Sequence, residues 1–586
     1  MKKLVKLLLC AAICLPLFGC GSSKKGSDEF AEYAKTLPAV FMESTGFDTN
    51  FFFDHPEKYG IKKDLYTLQF MTLDDFKKQD KEYKKIDKAL DDYDYDALTK
   101  DQKITYDVLK AALKDDENDK LTVEDRYYLT TNYFDVSSGI QSSLPFALWN
   151  YEFKNQKSLD SFIAVLNQAP KLFKKYAAFE VTRQKKGYGM SKTYMDNVIK
   201  SVHAINNSDQ SYILNATYEK IDNADYIPAD KKQFYKDTIT NAFNNKLLPA
   251  FKQTETDLSN IKILKKGDGE LASYKGGKKY YESIVTNSAG VDSMKKYTKY
   301  LDDETSRIQN RLMDVVNEYP ELVSLMSDSS KIYEAISNAK YTDLTDSTEV
   351  IHYLEQQISD GKDFPKIKKL DYQMNIIPES MKETTTAAAA YYVSAFDDNS
   401  GKDENMILNG SFSQNDFTSV AHESFPGHMY QHNYFKTVKH NVLRDLLSDS
   451  TYTEGWATYI QGESCKYTKE PGVCELNSIN DQLTYLYVLE LDKKIHYDGY
   501  SREKAYAYLK ENFGITNEDD LKAMYEQLLE SPAVFTNYYV GLYQFLDLKE
   551  DAKDKWGSKY SDYRFHKAVL DLGPLPMNLL RDYMKL

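Results

Sequence analysis

The chain has 586 residues, 42% hydrophobic and 28% charged, with only 25 glycines and 15 prolines. These proportions exclude wholesale disorder, collagen-like repeats and linker-dominated architectures, and so few helix breakers favour helices. A formal net charge of −14 excludes a general nucleic-acid binder, which needs a basic surface.

The chain opens with Lys2, Lys3 and Lys6 ahead of an apolar run from Leu7 to Phe18, too short to span a bilayer stably. The stretch closes on Leu17-Phe18-Gly19-Cys20, which resembles a bacterial lipobox. Residues 1–19 are therefore expected to be a lipoprotein signal peptide, cleaved before Cys20, whose thiol takes the lipid. That makes the protein exported, anchored to the cell membrane and facing outside the cytoplasm. A plain secretory signal with a chance cysteine is the alternative. Loss of the three lysines takes the charge to −17. Residues 20–30 read as a flexible tether and 31–586 as one helical catalytic region. No later stretch is apolar enough to cross a membrane.

Beyond the tether the pattern is helical. Ile104, Val108 and Ala111/Ala112 share a helix face, and Leu159, Phe162, Ile163 and Leu166 repeat the spacing after a capping Ser158. Pro170 is expected to kink or end that second helix. Similar amphipathic stretches run through Tyr212–Leu248, Ser293–Val316 and Lys504–Leu529. One short extended candidate, Met406–Asn409, lies between a polar loop and Gly410-Ser411. The predicted class is mainly α with a minor β element. Cys465 and Cys474 are the cysteines left once Cys10, Cys14 and Cys20 are assigned to the signal and its lipid. In an exported chain they are a disulfide candidate, with Pro471-Gly472 suited to the centre of a type II turn. Two free thiols are the alternative.

The segment that carries chemistry runs from Asp416 to Gln431 and contains His422-Glu423-Ser-Phe-Pro426-Gly427-His428. Zinc-peptidase helices carry H-E-x-x-H, whose i, i+4 spacing aims two imidazoles at one ion and leaves the Glu to activate water. Here the histidines are six apart, about 240° around an ideal helix. Removing Pro426-Gly427 restores the usual spacing. Proline cannot continue a helix and glycine absorbs unusual dihedrals, so the helix is expected to break or bulge there and re-aim His428 toward His422. Replacing both residues by alanine is then expected to favour a continuous helix and to cost metal affinity without costing folding. Glu454, in Thr-Glu-Gly-Trp, follows His428 by 26 residues and is the candidate third ligand, leaving a fourth position for water. The metal site is thus placed within residues 416–460. A rival pair, His428 with His432, is also spaced i, i+4 but leaves Glu423 without a purpose. A second rival has the histidines structural and no metal bound.

H-E-S-F-P-G-H-x-x-Q followed by E-G-W resembles the bacterial domain of unknown function 885 family, considered a relative of zinc-dependent peptidases. Gly276-Gly277 with Tyr280-Tyr281, Asn537 to Gly541, and Phe565-His566 with Leu575-Pro576 and Leu580-Arg581 resemble further segments of that family. The resemblance implies a large helical metallopeptidase-like fold with a deep cleft between two lobes. It implies Zn²⁺ held by His422, His428 and Glu454, Glu423 as general base, and a short peptide as substrate. Tyr538 is the candidate oxyanion stabiliser, with His496 and His566 as alternatives. The Met406–Asn409 strand is expected to offer an edge for an extended peptide. Two other readings compete with hydrolysis: a solute- or peptide-binding lipoprotein of a transport system, which needs βαβ units, and a catalytically silent helical scaffold.

Overall fold

The computed structural model describes residues 24–586 except 43–45, 62–66, 118–120, 137, 327, 369, 383–388, 393–394 and 398–403. The signal segment and Cys20 lie outside the described residues. Helix makes up 71% of the structure and strand 3%, as the sparse glycine and proline content implies. No helix among the described residues is long and apolar enough to cross a membrane. Order begins earlier than the tether reading placed it. Lys25 bridges to Tyr93, and helix Ser27–Ala34 buries Phe30 and Ala34.

Two large apolar cores organise the chain. One is built from residues between Phe47 and Leu258, and the other from Ile104 through to Met584. The first is threaded by the helix Gln156–Lys186, which continues past Pro170, so the proline does not end it. Leu166, Ala169 and Phe173 around the proline are all buried, and that packing outweighs the lost backbone bond. Its cap is Asn155, which accepts from the Ser158 amide, so Ser158 completes a capping box from inside the helix. In helix Lys100–Glu117 the buried stripe is Ile104, Val108, Leu109 and Leu113, with Ala111 and Ala112 beside it. Residues 504–529 fall into two helices, Arg502–Phe513 and Glu518–Glu530, parted at Gly514, whose φ of 65° only glycine adopts readily.

The single sheet among the described residues has three strands, β1 (Tyr372–Ile376), β2 (Ala389–Tyr392) and β3 (Glu404–Leu408), in the order β1-β3-β2. β3 pairs in parallel with β1 and antiparallel with β2. The expected Met406–Asn409 strand is therefore central. Both of its edges are filled, so it has none to offer a peptide. Nor does this sheet supply the βαβ units that a transport-type binding protein needs.

Cys465 and Cys474 form a buried disulfide, with Cα atoms 5.4 Å apart. The turn assignment beside it fails. Pro471 is the first residue of helix Pro471–His496, a position where its missing N–H costs nothing.

Candidate metal centre

His422 stands at the end of helix Phe417–Glu423, held by the buried Phe417, Val420 and Ala421. The helix stops at Ser424 (φ −108°, ψ −101°), passes a cis Phe425–Pro426 peptide, and a new helix, His428–Thr437, starts on the second histidine. Gly427 is required here by close approach, since a Cβ on it would lie 1.8 Å from the His422 carbonyl oxygen and 2.4 Å from that of Ala421. The expectation that alanine here would not cost folding is therefore corrected for this backbone geometry, in which alanine at 427 has no room. The break is also clamped from outside, because the buried Trp456 indole N–H donates to the Pro426 carbonyl at 3.0 Å.

Glu454 comes from helix Ser450–Glu463, whose cap Asp449 accepts from the Tyr452 amide at 3.0 Å. The next residue, Gly455, lies against the backbone of Gly541, the first residue of helix Gly541–Trp556; a Cβ on Gly455 would meet it at 2.6 Å. This near-contact of two backbones brings the π-helical turn Thr536–Val540, and with it Tyr538, beside Glu454. The Tyr538 ring lies nearly parallel to His422, centroids 6.2 Å apart and planes at 14°.

The four polar groups converge. Glu454 Oε2 lies 3.6 Å from His422 Nε2 and 3.4 Å from His428 Nε2, and the two imidazoles meet edge to face at 4.7 Å. Glu423 Oε1 is 3.9 Å from His422 Nε2, while its Oε2 accepts from the Tyr391 amide of β2 at 3.0 Å. Among the described residues, donor atoms of His422, Glu423 and His428 form the group of metal-ligating side chains within 4.8 Å of one another; neither the expected third ligand Glu454 nor the rival His432 is in it. Glu454 fits better than Glu423 as the third donor. Its Oε2 is buried, faces both imidazole nitrogens and has no hydrogen-bond partner, whereas one oxygen of Glu423 is already committed to β2.

Electrostatics follow from this packing. Burial by itself would raise the Glu454 carboxyl, but His422 and His428 outweigh it and hold the group at about 2. Burial would lower His428, and Glu454 and Glu423 push it up instead. The Tyr538 hydroxyl is raised by burial and then by the charges of Glu454 and Glu423, so it stays protonated and able to donate. The two alternative histidines are occupied elsewhere. His496 accepts from the Leu271 amide at 3.0 Å and contacts the Leu528 carbonyl at 2.9 Å. His566 lies between the Asp363 carbonyl at 2.7 Å and the Tyr459 hydroxyl at 2.9 Å.

A family model described as "Bacterial protein of unknown function (DUF885)" matches residues 57–584. The chain belongs to this family. All four converging residues and Tyr538 lie within the matched region. A solved "putative lipoprotein" from Colwellia psychrerythraea superposes with a TM-score of 0.75 at 17% identity, covering 95% of this chain and 98% of its own. A second solved structure, from Shewanella oneidensis and described in similar words as of unknown function, gives a TM-score of 0.58 with the same identity and coverage. At that identity the likeness establishes the fold. A search of curated proteins finds no match.

Proposed function

We propose that this DUF885 chain is a lipid-anchored, exported zinc metallohydrolase that cleaves short peptides. The observation that carries the reading is the orphaned Glu454 Oε2 between two imidazole nitrogens. Separations of 3.4 and 3.6 Å are long for hydrogen bonds. They match the ~3.4 Å expected between two donors that each lie about 2.0–2.1 Å from one tetrahedral zinc ion. His422, His428 and Glu454 would hold that ion. When bound, it supplies Lewis-acid polarisation of a carbonyl and a more acidic water.

The chain's own groups do the rest. The Tyr391 amide fixes Glu423 Oε2, which leaves Oε1 toward the histidines to take the water's proton and later hand it to the leaving amine nitrogen. Tyr538, kept protonated, donates to the carbonyl oxygen as negative charge develops there. A cavity of about 390 Å³ bounded by His428 and Glu454 is large enough for a small ligand, which supports the reading. The lipobox and the lipoprotein descriptions of both structural neighbours support membrane anchoring through Cys20.

The test is Glu423→Gln, which retains shape but cannot accept the proton. Zinc content should equal wild type while turnover of short peptides falls by orders of magnitude. Equal turnover by both proteins would refute the assignment of Glu423 as base and favour the silent scaffold.

A further inference from the structure

The cavity beside the candidate centre has an aromatic wall that hydrolysis alone does not require. Besides His428 and Glu454 it is lined by Phe52, Phe396, Leu446 and Pro574, all four half-buried. Phe52 and Phe396 stack, with centroids 5.1 Å apart and planes at 12°. Three backbone amides fix that stack. The Phe396 amide donates to the Phe52 carbonyl at 2.8 Å, and the Asp397 carboxylate accepts from the amides of Asp54 at 2.7 Å and His55 at 2.9 Å. The Phe396 ring also lies 6.0 Å from that of His432, on the helix that begins at His428. Phe52 precedes residue 57, where the family match begins, so half of the stack comes from a segment that the family model does not cover.

The chemistry of the complement follows. An aromatic face already held in place gains by being covered with apolar surface and pays little ordering entropy to receive it. A ring gains more than an aliphatic chain, because stacking adds to the buried area. Charged side chains find no counter-charge here. No lysine or arginine is among the described residues that line the cavity, and Asp445, its one carboxylate apart from Glu454, is taken by His440 Nε2 at 2.7 Å. A charge carried into this space would lose water without a free partner. We infer that this cavity is the subsite for a large apolar side chain of the substrate, aromatic before aliphatic, adjoining the bond that is cleaved and resting on the Phe52–Phe396 stack. The inference rests on the proposed peptidase reading and names the class of residue it selects.

The experiment uses the zinc-loaded Glu423→Gln chain, which separates binding from turnover. Calorimetric titration compares tetra-alanine with tetrapeptides in which Phe, Leu, Lys or Glu replaces one alanine, at each position in turn. At one position Phe should bind at least about tenfold tighter than alanine, the gain from burying a ring. Leu should fall between them, and Lys and Glu should bind no tighter than alanine. Adding Phe52→Ala or Phe396→Ala should bring the Phe-to-Ala ratio toward one, with zinc content and tetra-alanine affinity unchanged; Phe52→Leu should retain part of the preference. Leu446→Trp, which puts bulk into the cavity, should also abolish it, and decides the matter if either truncation fails to fold. Equal affinities across the set, preference for a charged residue, or Phe selection that survives both Phe52→Ala and Leu446→Trp would each overturn the subsite. Cleavage by wild type without side-chain preference sinks the subsite alone. Phe-selective binding to Glu423→Gln with no cleavage by wild type sinks the hydrolase reading alone. Neither binding nor cleavage sinks both.

Discussion

Gly427→Ala tests how the broken helix creates the site. The new Cβ would sit 1.8 Å from the His422 carbonyl oxygen, and Cβ atoms do not approach such an oxygen closer than about 3.0 Å, so the backbone must yield by about 1.2 Å. Gly427 immediately precedes His428, and the carbonyl it strikes belongs to His422, so the displacement falls directly between the two imidazoles. Metal–ligand distances tolerate only ~0.2 Å. A shift several times larger should weaken zinc binding by at least the ~10–100-fold seen when ligand orientation is disturbed. Overpacking of this kind also costs about 1–3 kcal/mol of stability. Gly462→Ala is the control, because its Cβ would meet only the Ser478 hydroxyl at 3.3 Å. Zinc affinity is read by competition with a chromophoric chelator and stability by thermal unfolding with and without zinc. A Gly427→Ala protein that bound zinc within twofold of wild type and unfolded at the same temperature would refute this account of the backbone.

Trp456→Phe leaves the Pro426 carbonyl buried without its donor, so it should cost about 1–3 kcal/mol in denaturant unfolding and weaken zinc binding; unchanged values would show that the clamp is idle. Reducing Cys465–Cys474 frees a loop of sequence separation 9, worth ~2–3 kcal/mol in the chain-entropy model. The thermal midpoint should drop by a few degrees with zinc retained, since Cys465 lies eleven residues beyond Glu454; zinc release would show that Glu454 is held more loosely than its capped helix suggests. In chelator-treated protein the cluster has its own pH window. Glu454 at about 2 lies below the ordinary glutamate value near 4.3, so its contribution is complete above ~4.3 and drains away as pH falls toward 2. His428, raised from about 6.5, contributes fully below ~6.5 and loses it as pH climbs through the raised value. The difference in thermal midpoint between wild type and Glu454→Gln should therefore peak between about pH 4.3 and 6.5; a difference flat from pH 3 to 8 would contradict the coupling.

The histidines were legible because their chemistry depends on residue type and spacing, and Pro426-Gly427 announces the break that brings them together. Glu454 was legible only beside that motif. What escaped the sequence depends on backbone contacts, which leave little trace in residue type. The Tyr391 amide that fixes one oxygen of Glu423 comes from a strand that begins inside an alanine run, which reads no more clearly as strand than as helix. The Gly455–Gly541 crossing joins positions 86 apart, and each glycine alone looks like an ordinary small residue. Tyr538 becomes distinct among 48 tyrosines only through that crossing. Pro170 does not end its helix and Pro471 starts one in place of centring a turn: local propensity for breaking yields to burial in the first case and is satisfied at a helix start in the second.

The central claim is that His422, His428 and Glu454 together hold one zinc ion. Zinc content by plasma mass spectrometry, measured on the full mature chain and on four single alanine variants, tests it most directly. About one zinc per chain is expected in wild type and in His432→Ala, and little in His422→Ala, His428→Ala or Glu454→Ala. Full occupancy in those three variants, or loss confined to His428→Ala and His432→Ala, would contradict it.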